Sequence, residues 1–202
     1  MDWYEEDVKA VVNERQSCRY EPKTIFYGSS SIRLWTELYR DFHDYKPVNL
    51  GFGGSTLAAC VWFFDRIVAP IRNPKIMVLY AGDNDLGDGR HPEEVLIFFR
   101  EFLVKLRQTY PAIPFYYLSI KPSISRVEII DKIQHTNKLI EDEINNTAEN
   151  TYFVNIYDKM IGKNGKPIAT LFEEDGLHLN RDGYLVWREI ILNECLLNAK
   201  LI

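Results

Sequence analysis

The chain has 202 residues, 46% of them hydrophobic and 26% charged, with a formal net charge of −5. Such a composition belongs to globular domains with a full core. The acidic balance, without any cluster of lysines and arginines, speaks against a nucleic-acid partner.

Residues 3–13 carry the spacing of a short amphipathic helix, expected as an appendage to the domain. Thr24-Ile-Phe-Tyr27 is an apolar run of β-formers, closed by Gly28 and Ser29-Ser-Ser31, with a helix expected from Ile32 to Phe42. Pro47-Val-Asn-Leu50 predicts a second strand, Gly51-Phe-Gly-Gly-Ser-Thr56 its exit loop, and Leu57 to Val68 a helix that stops before Pro70. A third strand is expected at Lys75-Ile-Met-Val-Leu-Tyr80, followed by the polar loop Ala81-Gly-Asp-Asn-Asp-Leu-Gly87. Pro92 opens a helix whose apolar spacing runs to Tyr110. Pro114 to Ile120 reads as a fourth strand, Lys121 to Ser125 as its exit loop, and Val127 to Asn146 as a long helix. Thr151 to Asn155 is a fifth strand, 157–177 is irregular, and a closing helix runs from about Arg181 to Leu197.

Five short strands alternating with helices predict an α/β fold. The expected architecture is one domain over 1–202, a flavodoxin-like three-layer α/β/α sandwich around a five-stranded parallel sheet. Open sheets of this kind bind ligands outside the carboxyl ends of their strands. The loops at 28–31, 51–56, 81–87 and 121–125 all follow strands, so they converge on one edge.

The acidic start, Met1-Asp-Trp-Tyr-Glu-Glu-Asp7, lacks the basic and apolar segments of a signal peptide, and no apolar run is long enough to cross a bilayer. A cytoplasmic location is the expectation, although a trimmed secreted form would read the same. Cys18, Cys60 and Cys195 are far apart and form no Cys-x-x-Cys, so neither a disulfide framework nor a zinc site is expected.

A serine where a strand breaks into a helix is a candidate nucleophile if a base and oxyanion donors come from elsewhere. Alone, Ser29 to Ser31 read more readily as helix caps. Among His43, His91, His135 and His178, the last stands apart: Asp175 precedes it by three residues, close enough to orient an imidazole. Gly54, through its backbone N–H, and Asn84, through its side-chain amide, are candidate oxyanion donors. Gly51-x-Gly53-Gly54 lacks the spacing of a dinucleotide loop.

Four segments in this order resemble the SGNH hydrolases, also called GDSL-type esterases and lipases. Gly28-Ser-Ser30 resembles the first block, Asn49-x-Gly51-x-x-Gly54 the second, Gly82-Asp-Asn84-Asp85 the third and Asp175-x-x-His178 the last. The family's Gly-Asp-Ser is Gly-Ser-Ser here, so Ser29 stands where an aspartate is usual, and Ser29 and Ser31 remain alternatives to Ser30. The resemblance implies a serine hydrolase acting on carboxylic esters of lipids, simple alcohols or acylated sugars. Ser30 would be the nucleophile, His178 the base and Asp175 its partner, with Ser30, Gly54 and Asn84 holding the oxyanion. No metal or organic cofactor is implied. Lys121, Ser123 and Arg126 are candidates for binding a polar or anionic leaving group, with surface or capping roles as the alternative. Phe52, Trp62, Tyr80 and Leu86 suit an acyl chain or the core. A carbohydrate-ester deacetylase and a catalytically silent binding module are the competing readings.

Overall fold

Each of the five apolar runs forms a strand in the computed structural model, which describes residues 1–147 and 149–197. They are β1 (Thr24–Gly28), β2 (Pro47–Gly51), β3 (Ile76–Tyr80), β4 (Phe115–Leu118) and β5 (Thr151–Val154), all parallel, in the order β2-β1-β3-β4-β5. Because successive strand residues point to opposite faces, each strand feeds two cores. Ile25, Tyr27, Val48, Leu50, Met77, Leu79, Phe115 and Tyr117 pack under one helical layer. That layer is α1 (Glu5–Ser17), α4 (Leu57–Ile67), α6 (Pro92–Thr109) and α7 (Ile130–Thr147). Phe26, Val78, Tyr80, Tyr116 and Leu118 pack on the other face against Ile32, Trp35, Leu38, Trp187 and Ile191. These come from α2 (Ser30–Arg33), α3 (Leu38–Asp41), the turn between them, and α8 (Arg181–Ile191). The three-layer α/β/α sandwich therefore stands as expected. Burial of each large apolar side chain contributes about 1.5–3 kcal/mol, so these two cores set where the loops emerge.

Several elements differ from the sequence reading. The N-terminal helix is part of the core rather than an appendage: Val8 is fully buried, and the Tyr4 ring lies 5.5 Å from Phe52 and 6.2 Å from Phe63. The helix expected over 32–42 breaks into α2 and α3. Trp35 turns into the core and donates its Nε1–H to Asp41 Oδ2 at 2.8 Å, and Arg181 holds the same carboxylate at 2.5 and 2.7 Å. Residues six apart lie on different faces of an unbroken helix, so this contact requires the break. The polar loop after β3 contains a helical turn, α5 (Asp83–Gly87), and a 3-10 stretch at Ile124–Ile129 delays the long helix to Ile130. After α8 the chain widens into a π turn at Leu192–Leu196.

The chain leaves β1 toward β2 on one side and then crosses to β3 on the other. That reversal opens a crevice at the carboxyl ends of β1 and β3. Among the described residues, no helix is long and apolar enough to cross a membrane, and no group of three or more His, Cys, Asp and Glu can hold a metal ion.

Candidate active site

Gly28 ends β1 with φ +135°, and a Cβ there would stand 1.9 Å from the Tyr80 carbonyl oxygen on β3. Only glycine permits this approach, which lets the Ser29 N–H donate to Tyr80 O at 2.9 Å and pins the serine turn to the middle of the sheet. The next three hydroxyls have different fates. Ser29 and Ser31 are 0% and 1% exposed, and neither Oγ has a partner among the described residues. Ser30 Oγ lies 3.0 Å from His178 Nε2. It occupies the first position of a one-turn helix, so its own N–H has no acceptor within that turn. The dipole of a single turn is small; the local N–H is what this terminus offers.

His178 is carried by the irregular segment ahead of α8. Its Nδ1 lies 2.5 Å from Asp175 Oδ2, while Asp175 Oδ1 accepts the N–H groups of Leu177 at 2.8 Å and His178 at 2.9 Å. Slight burial pushes this carboxyl up, but those backbone donors and the imidazole outweigh it and bring it down to about 2. A carboxylate is acceptor-only, so Nδ1 must carry the proton and the neutral ring presents Nε2 as an acceptor to the Ser30 hydroxyl. An imidazole poised this way can take a proton from the serine.

The donor side comes from the loops after β2 and β3. Gly54, at φ +64°, has open space where a Cβ would be, and its carbonyl accepts the Tyr4 hydroxyl at 3.0 Å. The Asn84 amide donates from Nδ2 to Ser55 O at 3.0 Å and accepts at Oδ1 from Arg126 Nη2, also at 3.0 Å. Asp85, fully buried, accepts the Leu57 N–H at 2.7 Å and so ties α5 to the start of α4. Burial pushes its carboxyl up to about 6.

Ser30, His178 and Asp175 thus form one hydrogen-bonded chain, with Gly54 and Asn84 on loops from neighbouring strands. The three candidates for binding a leaving group, Lys121, Ser123 and Arg126, all have their side chains turned inward to some degree. Lys121 is 1% exposed and its Nζ lies 3.1 Å from both Asp83 Oδ2 and the Tyr80 hydroxyl, so it is paired in the interior and not on the surface. Ser123 is 2% exposed, and the Arg126 guanidinium is committed to the Asp83 carbonyl and to Asn84. Phe52, Tyr80 and Leu86 are core, whereas Trp62 is 65% exposed. Tyr4 and Asp83 escaped the sequence reading because their partners lie 50 and 38 residues away; no local pattern announces such a bond. Beside the imidazole is an open cavity of about 580 Å³ lined by Thr36, Glu37, Arg40, Glu173, Asp175 and His178 among others.

The model of the GDSL-like lipase/acylhydrolase family matches residues 22–186. Among curated proteins, none matches the sequence. Solved structures share the fold at low identity. A Streptococcus pneumonia protein whose given name refers to platelet activating factor superposes with a TM-score of 0.83 at 21% identity, over 95% of this chain and 94% of its own. A GDSL-like lipase from Bacteroides thetaiotaomicron gives 0.74 at 21% identity, covering 94% and 95%. A family 3 carbohydrate esterase from Talaromyces cellulolyticus gives 0.72 at 15%, covering 89% and 98%.

Proposed function

The chain belongs to the GDSL-like lipase/acylhydrolase family, and from that premise we propose that it hydrolyses carboxylic esters with Ser30 as nucleophile. His178 Nε2 takes the hydroxyl proton as Ser30 Oγ bonds to the ester carbonyl carbon. The oxygen of the resulting tetrahedral intermediate gathers negative charge facing the N–H groups of Ser30 and Gly54 and the Asn84 amide. Collapse breaks the bond to the alcohol, which leaves with the proton held by His178. Water then repeats the sequence on the acyl-enzyme and restores the free serine. Asp175 stays ionised throughout, fixing the imidazole tautomer and balancing the imidazolium.

The observation that carries this reading is the continuous Ser30–His178–Asp175 chain at 3.0 and 2.5 Å. A fluorophosphonate probe followed by peptide mapping tests it. The label is expected on Ser30 and lost in Ser30→Ala. A label on Ser29 or Ser31, or none on folded protein, overturns it. A ligand retained by an inactive protein would revive a silent binding module.

An acylated sugar as the substrate is the second reading. It is favoured by the mixed lining of the cavity beside His178, where Glu37, Arg40 and Glu173 can bond hydroxyls and Trp35 and Tyr184 add aromatic lining for a sugar, and by the burial of Phe52, Tyr80 and Leu86, which removes three candidates for an acyl tunnel. The likeness to a family 3 carbohydrate esterase agrees with it. A panel of p-nitrophenyl esters of rising chain length, run beside acetylated sugars, separates the two. Preference for acetyl groups and sugars supports the deacetylase, and rising rates with longer chains support a lipase-like enzyme.

A further inference from the structure

An oxyanion donor on a side-chain amide has a weakness that a backbone N–H lacks. Rotated by half a turn, the amide presents its oxygen, which would repel the charge it should hold. Something must decide which end of Asn84 faces the reacting atoms. The structure supplies such a group: the Arg126 Nη2–H donates to Asn84 Oδ1 at 3.0 Å, and its other terminal nitrogen donates to the Asp83 carbonyl one residue earlier. A guanidinium has donors only, five of them in a fixed plane. The end of the amide that meets it must therefore be the oxygen. The nitrogen is forced to the other side, where one hydrogen goes to Ser55 O at 3.0 Å, in the loop that carries Gly54. Its second hydrogen is left for a ligand.

We propose that Arg126 is a positioning residue that locks the Asn84 amide in its donating orientation, an inference that rests on the ester-hydrolase reading given above. The lock has a second support. Lys121, in the exit loop of β4 ahead of the 3-10 stretch that carries Arg126, is bonded to the Asp83 side chain at 3.1 Å, so Asp83 and Asn84 are gripped by two cations. A charged donor on Oδ1 also polarises the amide and strengthens the N–H bonds it gives. Arg126 is half-buried and touches neither Ser30 nor His178 among the described contacts, so its action runs through Asn84.

The test is a double-mutant cycle on p-nitrophenyl acetate with Arg126→Met, Arg126→Lys, Asn84→Ala and the Met/Ala pair. Loss of one oxyanion donor typically costs about 10²–10³ in kcat. Arg126→Met leaves the donor present but oriented by the Ser55 carbonyl alone, so kcat should fall about 10- to 100-fold with KM little changed. Arg126→Lys, which keeps one cationic donor and guards against a folding failure, should fall between wild type and methionine. In the Asn84→Ala background the methionine substitution should change kcat less than about 2-fold, because the group it acts through is gone. Additive losses, or a rise in KM with kcat intact, overturn the proposal; the latter would make Arg126 a substrate contact. A second readout is independent of turnover: the Asn84 side-chain NH2 resonances, assigned by their loss in Asn84→Ala. They should be dispersed in wild type and collapse toward free-amide shifts in Arg126→Met. Unchanged resonances refute the lock even if activity falls. A wild-type protein inactive on every ester removes the hydrolase reading, and the resonances then decide the lock alone.

Discussion

Lys121→Met removes half of a buried ion pair and leaves the other half behind. The two side chains are 1% and 5% exposed, with Nζ 3.1 Å from Asp83 Oδ2. Burial pushes the Asp83 carboxyl up, yet the Lys121 ammonium and the Arg126 guanidinium overcome it and hold the group below its usual range. At Lys121 burial wins, and the ammonium sits below its ordinary value despite Asp83. Desolvation is therefore a large cost at both ends, and each is tolerated only because the other is present. Without the lysine, Asp83 keeps the cost and loses its nearest cation. Breaking such a pair costs about 3–5 kcal/mol, a large share of the roughly 5–15 kcal/mol that holds a domain together. For a chain of this length that lowers Tm by about 6–20 °C. Adding Asp83→Asn removes the stranded charge and should recover at least half of the loss. Urea and thermal unfolding followed by tryptophan fluorescence measure both variants. A single substitution costing less than about 1 kcal/mol, or a double variant that loses the sum of the two singles, refutes the reasoning.

Two glycines should respond in opposite ways to alanine. Gly28→Ala places a methyl 1.9 Å from the Tyr80 carbonyl oxygen and should prevent soluble expression; Gly54→Ala meets open space at φ +64° and should cost only about 1–2 kcal/mol in unfolding titrations. Tyr4→Phe frees the Gly54 carbonyl and should lose about 0.5–1.5 kcal/mol, with kcat for p-nitrophenyl acetate falling more than KM changes. Asp85, raised by burial to about 6 from a reference of 3.8, keeps a proton in the folded chain that the unfolded chain releases. Stability from this group should therefore fall by about 3 kcal/mol as pH rises from about 4 to about 6 and stay level above. The difference in urea midpoints between wild type and Asp85→Asn, taken across that range, reads it directly.

What the sequence made legible divides by range. The strands were visible because β-formers run together in Thr24-Ile-Phe-Tyr27 and Ile76-Met-Val-Leu-Tyr80 and both faces of the sheet are buried, so no polar residue interrupts them. The Asp175–His178 pair was visible because its two members share one turn. Helix breaks were not: Trp35 in an otherwise helical pattern gives no sign that Arg181 will hold Asp41 from 140 residues away. Lys121 in a polar exit loop reads as a solvated cation until β4 is laid beside β3 and Asp83 appears under it. Propensity also misled at 81–87, where Asp-Asn-Asp-Leu-Gly holds poor helix formers. That turn is fastened from outside, through Lys121 on Asp83, Arg126 on Asn84 and Asp85 on the Leu57 N–H.

The two halves of the site are held by different means, and this bears on how an ester would be handled. The donor half is cross-braced: Tyr4 to Gly54, Asn84 to Ser55 and Asp85 to Leu57 bind the second and third exit loops to each other, to the turn that leads into α1, and to α4. The proposed nucleophile is fixed too, through the Ser29 N–H on Tyr80 of the neighbouring strand. The base half rests on a segment of turns, closed by the Phe172–Leu179 bridge and by the Asn180 amide on Thr170 O and Phe172 O, and held at Glu173 by a 2.8 Å bond to the His178 carbonyl and at Gly176 by a 3.1 Å bond from the Ser125 N–H. Electrostatic stabilisation by prealigned donors loses value quickly if they must reorganise when charge appears. A proton acceptor tolerates small displacements, since its hydrogen bond tightens as the reaction proceeds. The braces that bear most on rate are thus those of the donor half, where the oxyanion would form. The price of loosening a brace there should appear in kcat before it appears in substrate affinity.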